Sequence, residues 1–408
     1  MKLACVVHRY GTDIAGGSEA HCRQIAEHLA ARHDVTVLTS CARDHITWRN
    51  EWPEGRSTVG PVTVRRFAAS RQRSLHRFAS ATELAFSGTA TEAEQEAWFV
   101  ENGPELPGLL DHLRQHGANY DAVLFWAFRY AEVWQGLPLV AERAILVPTA
   151  EDDPLMRVDV VGRFFARPAG CVYLTPEEQT LVERRVEGPI PPSCIIGAGL
   201  DPVTVVPTSD DTLDAALVAR GVRAPYLLYL GRIDPNKGCG DLLRHFLRFR
   251  AEAPGRRVQL VMAGPASMPV PTHPDVLPLG FVDEPTRAAL LSGTRALMMP
   301  SRYESLSMVL LEAWNHARPA IVNAHCDVLR GQAIRANGAL YYRNFDEFTV
   351  VTGRMLDDAS LATTLGQQGQ GYVAREYRWP QVVAKLEALL ATVTAHGSRR
   401  QPVAPTAG

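Results

Sequence analysis

The chain has 408 residues, 21% of them charged and 46% hydrophobic, with a formal net charge of −2. That length holds two domains with substantial cores, the net charge gives no argument for nucleic acid binding, and no run reaches the ~18 apolar residues of a membrane span. Seven cysteines with no CxxC pair point to reduced thiols in a cytoplasmic protein, not to a disulfide frame or a zinc site.

In chain order, the start from Lys2 to Arg9 turns polar too soon for a signal peptide and reads as a first buried strand. A helix over roughly Glu19 to Arg32 follows. Apolar runs then recur at Val35–Leu38, Pro61–Arg65, Ala122–Trp126, Ala144–Pro148, Cys171–Leu174 and Cys194–Ile196, with helical lengths between them. Residues 65–116 are the least regular stretch. The segment from Pro207 to Ala224 marks a boundary, and a second series begins: Tyr226–Leu230, Val258–Met262, Val276–Leu279, Ala296–Met299, Ala320–Val322 and Ala339–Tyr342. Strands separated by helices predict βα units and parallel sheets. The expected division is a first domain over 1–205 and a second over 206–374. A last helix follows over 375–393, then a disordered Pro/Gly/Ala-rich tail over 396–408. Two doubly wound domains in tandem imply a cleft between them as the ligand site.

Three segments carry chemistry. Gly16-Gly17-Ser18-Glu19 follows the first strand and opens the first helix, where backbone can approach a phosphate; a plain tight turn reads the same way. Gly231-Arg232-Ile233-Asp234-Pro235-Asn236-Lys237-Gly238 follows the first strand of the second domain. Arg232 supplies a bidentate fork and Lys237 a point charge for diphosphate oxygens; the bland reading is an exposed basic loop. Ser301 to Trp314 puts Glu304 at a strand's carboxyl end and Glu312 about two turns into the next helix. The backbone N–H groups around Leu306 and Ser307 suit a phosphate, and Glu312 suits a sugar diol. The alternative is an ordinary surface helix. Loops after different strands of one sheet converge, so the second and third segments strengthen each other.

Those segments, with the run Glu304 to Trp314, resemble the retaining glycosyltransferases of family 4. The resemblance covers nearly the whole chain. It implies the GT-B fold, an α/β architecture of two Rossmann-like doubly wound parallel-sheet domains facing across a cleft, with the last helix packing back on the first domain. It implies transfer of a sugar from a nucleotide-diphosphate donor, with no metal and no cofactor. Arg232 and Lys237 would hold the diphosphate, and Glu304 the donor sugar, helped by the N–H groups of Leu306 and Ser307. Glu312 would hold the ribose, Gly16 and Gly17 would approach the phosphates, and Gly264 and Phe281-Val282 would border the base. One departure stands out: many relatives carry a His where this chain has Glu151. In a retaining front-face mechanism the leaving phosphate takes the acceptor's proton, so Glu151 could orient substrate or stabilise charge on the sugar; it could equally cap the next segment.

Several alternatives stay open. Glu151-Asp152-Asp153 could hold a divalent ion, although the Arg232/Lys237 pair already supplies that charge. The basic run 65–77, with Phe67 and Phe78 interleaved, is a solvated face or else a contact for an anionic acceptor or for the inner membrane face. His8 should face the cleft or serve structure, and His21 reads as packing. Trp126, Phe128, Arg129, Tyr130 and Trp134 could line an acceptor site or form interior. The acceptor itself (glycan, lipid-linked or small molecule) is not legible. A non-catalytic GT-B scaffold, or a nucleotide-sugar epimerase on the same fold, is the competing function.

Overall fold

The computed structural model describes residues 1–14, 16–203 and 214–399, with 396–399 as backbone alone. The chain divides into two units: Met1–Gly199 together with the helix Trp379–Arg399, and Leu200–Arg378.

The first unit is an eight-stranded sheet. Its strands are β1 (Lys2–Val6), β2 (Asp34–Ser40), β3 (Gly55–Val59), β4 (Val62–Phe67), β5 (Ala122–Trp126), β6 (Ala144–Val147), β7 (Gly170–Tyr173) and β8 (Ser193–Ile195). They lie in the order β3-β4-β2-β1-β5-β6-β7-β8. All neighbours are parallel except β3, which runs antiparallel to β4. Every residue of β5, β6 and β7 is buried. Helices cover both faces of such a sheet, so its strands read as unbroken apolar runs.

The second unit is a six-stranded, fully parallel sheet of β9 (Tyr226–Leu230), β10 (Gln259–Ala263), β11 (Val276–Gly280), β12 (Ala296–Met299), β13 (Ala320–Asn323) and β14 (Ala339–Tyr342). Its order is β11-β10-β9-β12-β13-β14. In both units the chain starts centrally, winds one way and then returns to wind the other. This creates a switch point between β1 and β5, and another between β9 and β12. Ligands bind outside the carboxyl ends of strands at such points.

The structure corrects the sequence reading in four places. Residues 65–116 are not irregular: they carry the helices Leu75–Ala85, Glu92–Asn102 and Pro107–His116. β3 was not expected, because its residues are exposed or half-buried and form no apolar run. The units divide between Gly199 and Leu200, not at 205. The last helix starts at Trp379, because Arg375 and Glu376 finish the preceding helix Ala359–Glu376. Residues 396–399 continue that last helix; the rest of the expected disordered tail, 400–408, lies outside the described residues, as does the first part of the expected boundary segment. Within the first unit the last helix is fixed by Trp379, whose ring stacks on His28 with centroids 3.5 Å apart. Among the described residues no helix is long and apolar enough to cross a membrane.

Candidate functional site

In the second unit, the loop leaving β9 is shaped by its own side chains. Arg232 Nε donates to the Asp234 carboxylate. Asp234 also caps the turn Pro235–Lys237, accepting from the Lys237 N–H at 3.0 Å. Gly238 then takes φ 71° and starts the helix Cys239–Glu252. A Cβ at Gly238 would stand 2.3 Å from the carbonyl oxygen of Pro300, the residue after β12. Only glycine lets the two strand-end loops lie this close. Gly264, at the end of β10, plays the same part with φ 141°: a Cβ there would meet the Gly231 carbonyl oxygen at 2.0 Å.

That approach brings the sequence's two charged segments together. Lys237 Nζ donates to Glu304 Oε1 at 2.9 Å, across the switch point between β9 and β12. Both side chains are largely shielded, 29% and 12% exposed. An ammonium has three donors, and Lys237 gives one of them to Glu304. Arg232 is 47% exposed on the same loop.

The helix Met308–Asn315 follows. Its N-cap is Ser307, at φ 70°, whose Oγ accepts from the Leu310 N–H at 3.4 Å. Leu306 and Ser307 therefore lie just ahead of the helix rather than inside it, and Glu312 sits little more than one turn in. The Glu312 carboxylate pairs with Arg287, on the helix Glu284–Gly293. Burial pushes the Glu312 carboxyl up from its ordinary value, and the Arg287 guanidinium works against that. Arg287 escaped the sequence reading: nothing near it in the chain marks it, and only the order β9-β12 places its helix beside the helix of Glu312. Phe281, expected near the nucleoside base, is 78% exposed just after β11.

In the first unit, Gly16 is the N-cap of the helix Gly17–Leu29. A Cβ at Gly16 would fall 2.2 Å from Glu19 Oε2, while one at Gly17 would meet nothing within 4 Å. Glu19 is the anchor of this loop. It accepts from His8 Nε2 at 2.8 Å, Arg9 Nε at 3.1 Å and Ser18 Oγ at 2.9 Å. Burial alone would raise its carboxyl, but His8 and Arg9 hold it far below the usual carboxylate range. His8 faces no open site: it is buried, with the Tyr130 ring 3.9 Å from its own. On its other side, 4.0 Å from Nδ1, lies Glu132, fully buried and pushed well above the usual carboxylate range by desolvation. Trp126, Phe128 and Trp134 are interior, so the acceptor reading of that cluster fails for them; Trp134 stacks between Phe99 and Phe164. His21 is structural as well. It meets the Gly197 carbonyl at 2.8 Å and accepts from Trp126 Nε1 at 3.0 Å, and burial pushes it down to about 4.

Glu151 follows β6, half-buried, with Arg129 Nη2 3.9 Å away; the same nitrogen donates to Asp153 at 2.8 Å. Its loop is held from behind by Glu178, which accepts from the N–H groups of Ala150 (2.7 Å) and Leu174 (2.6 Å). Asp152 lies 3.9 Å from Arg157. The three carboxylates thus have arginines beside them, and among the described residues no cluster of three or more metal-type ligands forms. The basic run is also largely spoken for. Arg66 donates to Ser57 and the Tyr10 carbonyl, Arg71 to Glu101 and Glu105, and Arg73 to the Asn102 carbonyl. Of this run, Arg65, His76 and Arg77 lie on the surface, with Arg77 Nε 3.4 Å from Glu101.

Residues 224–358 match the family described as Glycosyl transferases group 1. Over 445 aligned residues the chain is 24% identical to a glycogen synthase of Mycobacterium tuberculosis (strain CDC 1551 / Oshkosh), covering 99% of this chain and 98% of the relative. Among solved structures it is similar to a sucrose-phosphate synthase from Thermosynechococcus elongatus (TM-score 0.70, 17% identity, 97% of this chain and 99% of that one). It is also similar to the Anabaena Alr3699/HepE protein in complex with UDP and glucose (TM-score 0.68, 14% identity, 96% and 100% covered). The matched family segment begins just before β9 and spans the loops of Arg232, Lys237, Glu304 and Glu312. The fold is GT-B, and fold and domain match together support a glycosyltransferase of GT-B type.

Proposed function

We propose that the chain transfers a sugar from a nucleotide-diphosphate donor to an acceptor hydroxyl, with retained anomeric configuration and without a metal or cofactor. The observation that carries this reading is the Lys237–Glu304 pair at 2.9 Å over the β9/β12 switch point. It sets a cation for the departing diphosphate beside a carboxylate for the donor sugar. Arg232 supplies the second cation, and the N–H groups of Leu306 and Ser307 help hold the donor. Glu312, with Arg287 orienting it, accepts from the ribose hydroxyls. Gly16 and Gly17 offer close backbone approach to phosphate, and Glu151, steadied by Arg129, supports the sugar side. The bond from the anomeric carbon to the diphosphate oxygen breaks, and the bond to the acceptor oxygen forms on the same face. The acceptor's proton passes to the leaving diphosphate. Positioned charge then does most of the work, which in enzymes is the largest single contribution. The UDP held by the Anabaena structure supports a nucleoside diphosphate as ligand. A cytoplasmic site of action accords with the seven free thiols.

Thermal stability measured with UDP, GDP, ADP and dTDP, each with and without EDTA, tests this. One nucleotide at 100 times its Kd should add about 2.7 kcal/mol, unaffected by EDTA, and Glu312→Ala should remove the gain. Stabilisation that needs a divalent ion would overturn the metal-free part, and no stabilisation by any nucleotide would overturn the donor site.

A further inference from the structure

The loop leaving β6 runs Pro148-Thr149-Ala150-Glu151, and its backbone is strained: Thr149 sits at φ 49°. A β-branched residue rarely adopts that region, and such a conformation persists only where its surroundings over-determine it. Glu178, on the helix Pro176–Glu183 that follows β7, supplies the restraint. We propose that Glu178 is a positioning residue for the transfer, clamping the backbone of Ala150 so that Glu151 is set against the donor sugar. The proposal rests on the transferase reading above, in which Glu151 supports that sugar.

Geometry is the first argument. Glu178 is fully buried, and its two carboxyl oxygens are divided between two strand ends. Oε1 accepts from the Ala150 N–H at 2.7 Å, in the loop after β6, and Oε2 from the Leu174 N–H at 2.6 Å, directly after β7. β6 and β7 are paired neighbours in the sheet, so one side chain ties their carboxyl ends together. Glu151 is the residue next to the clamped one. From its other side the Asp153 N–H donates to the Glu151 carbonyl at 2.7 Å, and Arg129 holds the Asp153 side chain at 2.8 Å. The Glu151 backbone is thus fixed from both directions, while its side chain stays 26% exposed.

The second argument is that the helix of Glu178 needs neither contact. Thr175 already caps it, its Oγ accepting from the Glu178 N–H at 3.2 Å. The Glu178 side chain instead reaches out of its own helix, to Leu174 ahead of the cap and to Ala150 in another loop. Burial pushes its carboxyl up to about 8; the two N–H groups work against that, and the Glu151 charge adds to it. The two acids therefore stand close enough to sense each other.

The test isolates the sugar by comparing a nucleotide sugar with its bare nucleotide. UDP and UDP-glucose are titrated into the intact chain by calorimetry, with GDP and GDP-mannose, and ADP and ADP-glucose, in parallel. The pair that binds is carried through the variants. Glu178→Gln keeps the size of the side chain but turns one acceptor into a donor. It should lower affinity for the nucleotide sugar, relative to the bare nucleotide, fivefold or more, with the bare nucleotide bound within twofold of the parent. An unfolded fraction would weaken both ligands alike, so the ratio discounts it. Glu178→Asp keeps both oxygens and should shift the ratio the same way by less; it carries the test if the glutamine variant does not fold. In a Glu151→Gln background, Glu178→Gln should cost nothing further, because the clamp acts through Glu151. A clamp that served stability alone would show no such dependence. Three results would overturn the proposal: the ratio is unmoved in both Glu178 variants, Glu178→Gln costs as much in the Glu151→Gln background, or Glu151→Gln alone leaves the ratio at the parent value. In each of these the bare nucleotide still binds and the donor site stands; a parent that binds no nucleotide would overturn the donor site and this proposal with it.

Discussion

Gly238 does for the proposed donor site what a side chain could not. At φ 71°, with the Pro300 oxygen 2.3 Å from its missing Cβ, it lets the Lys237 loop rest on the chain leaving β12. Gly238→Ala must either move that chain or strain its own backbone. We expect it to destabilise the second unit by about 1–3 kcal/mol and to weaken nucleotide binding, because Lys237 moves away from Glu304. Urea unfolding with a UDP titration checks both; an unchanged UDP affinity would mean that the 2.9 Å pair is not needed for binding. At this scale the pairing in the candidate site was partly legible. Lys237 and Glu304 could be found because each follows an apolar run in a loop broken by glycine or proline. Arg287 could not, since a lone arginine on an ordinary helix carries no local signal. The burial of His8 was hidden too: its position at the end of β1 suggested exposure, and the Tyr130 ring and Glu132 that enclose it come from the far side of the switch point.

Elements were legible where burial left a mark on composition. The six strands of the second unit read as apolar runs because their sheet is parallel and the core strands lie between helices. β3 left no mark: Gly55, Arg56, Ser57 and Thr58 are exposed, and the strand exists only because β4 offers an antiparallel edge. The helix Glu92–Asn102 had a signal that went unread. Thr91 and Glu94 form a reciprocal capping box, with the Thr91 N–H donating to Glu94 at 2.8 Å, and that spacing is visible in the sequence. The helix carries Trp98 and Phe99 into the core, so its start matters to the packing around Trp134. Thr91→Ala should cost about 1 kcal/mol, read as a lower midpoint in thermal unfolding. Thr91→Ser, which keeps the acceptor oxygen, should restore most of it. Equal losses in the two variants would show that the box contributes nothing.

Unfolding free energy sums over every titrating group, so the response to pH belongs to the whole chain. Two histidines and two carboxyls of the first unit pull against each other. Burial pushes His21 and His112 down to about 4, below the unfolded value near 6.5. The unfolded chain therefore binds their protons first, and stability falls as pH drops from about 6.5 to about 4. The buried carboxyls have the opposite sign. Burial pushes Glu178 up to about 8 and Glu132 well above its ordinary value. Each takes up a proton in the folded state first, so stability rises as pH falls through the folded value toward about 4.5. Above pH 6.5 only the carboxyl effect acts. Lowering pH from about 8 to 6.5 should thus stabilise the protein by about 2 kcal/mol through Glu178, with Glu132 adding to it. Between 6.5 and 4.5 the two effects oppose, and below 4.5 stability falls. Urea midpoints at pH 8.5, 7.0, 5.5 and 4.0 should show a maximum on the acid side of neutrality, and Glu178→Gln should flatten the alkaline limb. A wild-type limb that is already flat would mean that Glu178 stays ionised at neutral pH. The two N–H groups of Ala150 and Leu174 would then outweigh burial, and the loop carrying Glu151 would be held by a charge rather than by a neutral acid.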